Sequence, residues 1–160
     1  MSWSIFLPNT SNRRGYSIAD GSQTGLDLGG AFTIMWFGDR DGGGITGTGV
    51  VCSKLDATDD IAYMVQYMNS NAYQIRLTLN DGTNEWYYDW DAGMGQSGGW
   101  NHYAVTFDGA LAAGGARAQL YRNGVSVGSG FLTGTEGTAP KNGDGNFEAF
   151  KQVAARTGST

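Results

Sequence analysis

The chain has 160 residues and a formal net charge of −5, with 27 Gly, 2 Pro and a single Cys. That length is one domain with room for a real core, and the absence of a basic cluster argues against a nucleic-acid backbone as partner. One cysteine excludes an intramolecular disulfide framework, and no stretch is apolar for long enough to cross a bilayer as a helix.

The opening Met1-Ser2-Trp3-Ser4-Ile5-Phe6-Leu7-Pro8 has neither a basic n-region nor a long apolar core, so it does not read as a signal peptide. High Gly content and few helix-forming runs predict short strands separated by turns, hence a sandwich or barrel. Five Trp, eight Tyr and seven Phe argue against disorder, because that much aromatic surface must be buried or used in binding. Residues 41–49, rich in Gly, read as a surface loop. Cys52, between Val51 and Ser53, reads as a buried structural thiol in mid-strand.

Residues 73–91 are the most legible local unit. Asp81-Gly82 predicts a two-residue type I′ turn, since both central positions need positive φ and these residues tolerate it. That turn pairs Leu77 with Trp86, Ile75 with Tyr88 and Tyr73 with Trp90. The alternate positions pair Thr78 with Glu85, Arg76 with Tyr87 and Gln74 with Asp89, giving one apolar and one polar face.

Further on, Trp100-Asn101-His102-Tyr103-Ala104-Val105-Thr106-Phe107 predicts a strand with Tyr103, Val105 and Phe107 inward. Asn123-Gly124 predicts a second tight hairpin, with Leu120 opposite Val127 and Tyr121 opposite Ser126. If the apolar sets share a core, the outward face of one sheet collects Arg76, Tyr87, Asp89, Asp91, His102 and Tyr121, beside Gln74, Glu85 and Gln119. Rings can stack on the apolar faces of a sugar while carboxylates and amides bond its hydroxyls. An ordinary solvated face laced by a diagonal Arg76–Asp89 pair explains the same residues.

The run Gly98-Gly99-Trp100-Asn101-His102-Tyr103-Ala104-Val105-Thr106-Phe107-Asp108-Gly109, followed by Leu120-Tyr121-Arg122-Asn123-Gly124, resembles the concanavalin A-like lectin/glucanase superfamily. Within it the match is to the laminin-G-like jelly-roll branch. Tyr16-Ser17-Ile18, Leu26-Asp27-Leu28 and Phe32-Thr33-Ile34-Met35-Trp36 are similar to that branch's opening strands, and Val50-Val51-Cys52-Ser53-Lys54 to its next. The resemblance implies an all-β, two-sheet antiparallel jelly-roll sandwich, as one domain over residues 1–160. It also implies a non-catalytic carbohydrate-binding or adhesion-type module, with a glycan or surface protein as partner and an extracellular, cell-surface or virion setting. The rival is a structural or interaction module in a virion or surface assembly.

Glycosidases of this superfamily carry a Glu-x-Asp-x-(x)-Glu strand, and retaining chemistry needs two carboxylates about 5 Å apart. Here Glu85, Asp89 and Asp91 share a face, but their order and spacing depart from that pattern and no second Glu follows, so a glycoside hydrolase is the third reading. Some laminin-G-like domains hold calcium in rim loops. Asp56-Ala57-Thr58-Asp59-Asp60 and Asp39-Arg40-Asp41 are the oxygen-rich loops, but without EF-hand spacing they read as turns, and no cofactor is expected. His102, the only histidine, cannot build a zinc site with one distant Cys. The family carries a His there, which implies a structural role, held by a hydrogen bond near Trp100. The glycine runs 42–44 and 47–49 lack the Lys of a phosphate loop.

After the Asn123-Gly124 hairpin the family continues with two more strands. Phe147-Glu148-Ala149-Phe150-Lys151 reads as the first, with a short helix capped by Asn146 as the local alternative. Nothing in 153–160 matches the second, closing strand. The edge near Trp3–Phe6 is therefore expected to be unpaired, closed by residues 1–7 or by another chain, and a homo-oligomer through edge pairing follows.

Overall fold

The computed structural model describes residues 16–22, 25–39, 48–55, 60–68, 74–90, 100–114, 116–149 and 152–153. Their strands, in chain order, are β1 (Tyr16–Ile18), β2 (Ala31–Asp39), β3 (Thr48–Leu55), β4 (Ile61–Met68), β5 (Gln74–Asn80) and β6 (Glu85–Trp90). There follow β7 (Trp100–Asp108), β8 (Ala118–Arg122), β9 (Val125–Ser129), β10 (Phe131–Gly134), β11 (Phe147–Ala149) and β12 (Gln152–Val153). They form two antiparallel sheets in a sandwich, the expected jelly-roll architecture. The larger, eight-stranded sheet runs β1-β11-β3-β4-β5-β6-β10, with β12 also against β3; the smaller, four-stranded sheet runs β2-β7-β8-β9.

Alternation writes the core. Ile75, Leu77 and Leu79 of β5 and Trp86, Tyr88 and Trp90 of β6 are buried from one side, and Trp36, Tyr103, Val105, Phe107 and Leu120 meet them from the other. Side chains of this size contribute about 1.5–3 kcal/mol each when fully buried. Aromatic contacts join the sheets: the Tyr88 and Phe107 rings lie 6.3 Å apart. Two of the core indoles find partners across the gap, while the buried Trp86 Nε1 has none among the described residues. Trp36 Nε1 donates to the Tyr67 hydroxyl at 2.7 Å, and Trp90 Nε1 to the Gly128 carbonyl at 3.0 Å.

The first hairpin differs from expectation by a slip of two residues. Leu77 stands opposite Tyr88, Ile75 opposite Trp90, and Arg76 opposite Asp89, with a further apolar pair, Leu79 and Trp86, near the turn. The physical reason lies in the loop's own side chains. Asn80 Oδ1 accepts the Gly82 N–H at 2.7 Å, while Asp81 Oδ1 accepts those of Thr83 and Asn84 at 2.8 Å each. These Asx bonds favour a four-residue loop over the two-residue turn and hold the Asp81 carboxyl below its usual range. The longer loop also seats Leu79 and Trp86 fully in the core.

At the second hairpin Asn123 and Gly124 both have positive φ, 52° and 79°, as a type I′ turn requires. Tyr121 faces Ser126 as expected, but Leu120 meets Gly128 rather than Val127, because the ladder shifts between Leu120 and Tyr121. Gly128 permits this with a φ of 109° that side-chain-bearing residues avoid.

The C-terminal strand reading holds for Phe147–Ala149, and the helical alternative falls. Strand β11 lies between β1 and β3, with Phe147 opposite both Ile18 and Lys54, and β12 continues along β3. Trp3–Phe6 lies outside the described residues. Cys52 is buried, and desolvation pushes its thiol up to about 12 against a weak opposing bond to the Val65 backbone.

Candidate functional site

The residues expected to share one face do not. Arg76, Tyr87 and Asp89 project outward from β5 and β6 of the larger sheet, whereas His102 and Tyr121 project outward from β7 and β8 of the smaller one. The two groups therefore lie on opposite outer surfaces of the sandwich. Asp91 lies outside the described residues. Alternation says whether a side chain points in or out, but not to which sheet its strand belongs.

On the larger sheet the polar groups satisfy one another. Arg76 Nε and Nη2 donate to the two Asp89 carboxylate oxygens, each at 2.7 Å, in a bidentate fork. The guanidinium carbon also lies 3.8 Å from the Tyr87 ring centroid. Hydrogen bonding to Asp89 raises the Arg76 pKa further, against the opposing effect of burial. The pair stands directly across the ladder rather than diagonally, with the two side chains 21 % and 14 % exposed. It leaves the Asp89 carboxylate neutralised by a neighbour.

The outer surface of the smaller sheet is different. On it, β2 contributes Thr33, Met35 and Phe37, and β7 contributes Trp100, His102, Ala104 and Thr106, with Phe37 opposite His102 and Met35 opposite Ala104. On β8, Tyr121 stands opposite Ala104 and Gln119 opposite Thr106. Met35, Phe37 and Trp100 are 64 %, 65 % and 61 % exposed, unusually open for large apolar side chains brought together on one sheet. The His102 ring packs against Phe37, centroids 5.0 Å apart.

Local bonds make this platform rigid. Asn123 Oδ1 accepts the His102 N–H at 2.9 Å, the Asn123 N–H returns to the His102 carbonyl at 2.8 Å, and Asn123 Nδ2 donates to Asn101 Oδ1 at 2.8 Å. The Asn of the hairpin turn thus staples it to the His-bearing strand. His102 is held through its backbone and its contact with Phe37, rather than by the bond near Trp100 that the resemblance implied. Sequence reasoning missed Met35 and Phe37. The signal was present in Phe32-Thr33-Ile34-Met35-Trp36-Phe37, where large apolar residues fall on both faces of one strand.

Buried charges elsewhere serve as staples. Lys54, with its side chain 1 % exposed, reaches Asp27 at 2.7 Å and Asp20 at 3.2 Å, tying the segment after β1 to the core. Burial opposes its charge, but the two carboxylates outweigh burial and raise its pKa. Glu136 accepts from the Tyr88 hydroxyl and from the Gly114 N–H, and Arg117 lies 3.8 Å away. Of the two oxygen-rich loops, Asp60 engages Lys141 at 2.7 Å and Asn80 at 3.2 Å; residues 40–41 and 56–59 lie outside the described residues. Among the described residues no cluster of three His, Cys, Asp or Glu is arranged to hold a metal.

No curated protein matches the chain. The family model described as the concanavalin A-like lectin/glucanases superfamily does match, over residues 12–151. That span includes every strand of the two sheets except β12, with the Trp100–Gly109 motif and the stapled Asn-Gly hairpin. With the two-sheet jelly roll observed as well, the chain belongs to the concanavalin A-like lectin/glucanase superfamily, in its laminin-G-like branch.

Proposed function

We propose that this domain is a non-catalytic glycan-recognition module of adhesion type, and that it binds on the outer face of the four-stranded sheet. The observation that carries the reading is the platform of Phe37, Trp100 and Tyr121 around His102, with Phe37 and Trp100 65 % and 61 % exposed. An exposed ring on a rigid strand loses little conformational freedom when a ligand stacks on it, so its apolar area goes into binding. The opposite face supports the same choice by contrast, because Arg76 and Asp89 satisfy each other.

A flat site buries little of a ligand, so single-site affinity is weak and useful retention depends on multivalent display. A broad glycan array probed with the whole chain in multivalent form tests this. Saturable binding to a defined set of glycans, abolished by Trp100→Ala with the melting temperature unchanged, is the expected result. Folded protein that binds nothing on the array refutes it and shifts the assignment to a protein-interaction module.

A further inference from the structure

The proposed glycan site has a chemical character that narrows its ligand, and this inference rests on that reading. The chain carries 15 acidic and 10 basic residues, yet none is an outward side chain in the central part of the smaller sheet. From Thr33 to Phe37, His102 to Thr106 and Gln119 to Tyr121, the outward positions hold no Asp, Glu, Lys or Arg. By register, Asp108 stands at one end of the face opposite Ala31, and Asp39 at the other end opposite Trp100. A sulfated or carboxylated sugar laid here would lose hydration with no Lys or Arg to replace it.

The face is also graded along its strands. Phe37, Met35, Trp100 and Tyr121 occupy one end, and Thr33, Thr106 and Gln119 the other, where Gln119 Nε2 donates to Ser129 Oγ at 2.7 Å. Ala104 stands between Met35 and Tyr121, so the centre is low and flanked by larger side chains. Phe37 and Tyr121 are two strands apart and offset by one residue pair. Strand spacing puts them about 12 Å from each other, longer than one sugar ring.

We infer that the site takes an uncharged oligosaccharide chain, laid across β2, β7 and β8. Its apolar C–H faces rest on Phe37, Trp100 and Tyr121, and its hydroxyls meet the Thr106 and Gln119 row. Recognition is by stacking and neutral hydrogen bonds, so it is insensitive to salt. It is also shared among several sugar units, so a monosaccharide competes poorly.

Affinity electrophoresis of the whole chain, run against a panel of soluble neutral polysaccharides and against heparin and polygalacturonate, tests this. A panel of β-glucans, mannans and galactans covers the neutral class. Retardation is expected with at least one neutral polymer, changing less than about twofold when about 0.5 M salt is added. Phe37→Ala and Tyr121→Ala are each expected to weaken it about tenfold, with unchanged melting temperatures. Binding confined to the anionic polymers and lost in salt overturns the neutral-ligand inference but leaves glycan recognition standing. Neutral-polymer binding untouched by both aromatic variants overturns the location as well. Retardation by no polymer in either class refutes this inference together with the glycan-recognition reading on which it rests.

Discussion

Gly109, the last residue of the Thr-Phe-Asp-Gly run, is placed by packing rather than by backbone conformation. A Cβ built on it would lie 1.8 Å from the Thr138 carbonyl oxygen and 2.6 Å from its carbon. Ordinary contact begins at 3.4 Å, so Gly109→Ala forces the two backbones apart by about 1.6 Å. Neither side can relieve this by rotating a side chain. The Gly109 N–H is already committed to the Gly30 carbonyl at 2.7 Å, and the Gly137 carbonyl accepts Arg117 at 2.8 Å. Overpacking costs about 1–3 kcal/mol, and a backbone clash belongs at the upper end. Lower entropy of the unfolded chain returns about 0.4–1 kcal/mol, leaving a net loss of about 2–3 kcal/mol. For a domain of this size that lowers the melting temperature by about 5–10 °C. Urea unfolding followed by tryptophan fluorescence reads it directly, with Gly29→Ala as control because a Cβ there meets nothing within 4 Å. Equal midpoints for the two variants would refute the argument.

Two further outcomes are expected. The Cys52 thiol, raised from 9.0 to about 12, stays protonated in the folded state while the unfolded chain ionises. Its stabilising contribution is therefore complete below about pH 9 and is lost as pH rises toward 12, at about 1.4 kcal/mol per pH unit. Burial of Tyr63 and Tyr88 raises their pKa values and adds to the loss at higher pH. Melting temperatures from pH 8 to 11 should fall from about pH 9, less steeply in Cys52→Ala, and a flat profile contradicts the assignment. Asp89→Asn should cost about 1 kcal/mol by breaking a partly exposed bidentate pair, yet leave glycan binding unchanged. Loss of binding in that variant at intact fold would move the site to the larger sheet.

The sequence by itself determined a great deal, wherever the governing physics is local. Period-two alternation identified the inward sets Ile75, Leu77 with Trp86, Tyr88, and Tyr103, Val105, Phe107, all of which are buried. Turn chemistry identified the Asn123-Gly124 hairpin, and the Trp100–Gly109 run identified the superfamily. The register of the first hairpin was not legible, because a slip of two residues preserves both faces and only the Asn80 and Asp81 side-chain bonds separate the alternatives. Tertiary structure alone decided which strands share a sheet. It separated Arg76, Tyr87 and Asp89 from His102 and Tyr121, and set Met35 and Phe37 beside the His-bearing strand. The reason is that an outward-facing position is a property of one strand, whereas a binding surface belongs to neighbouring strands brought together by contacts distant in sequence.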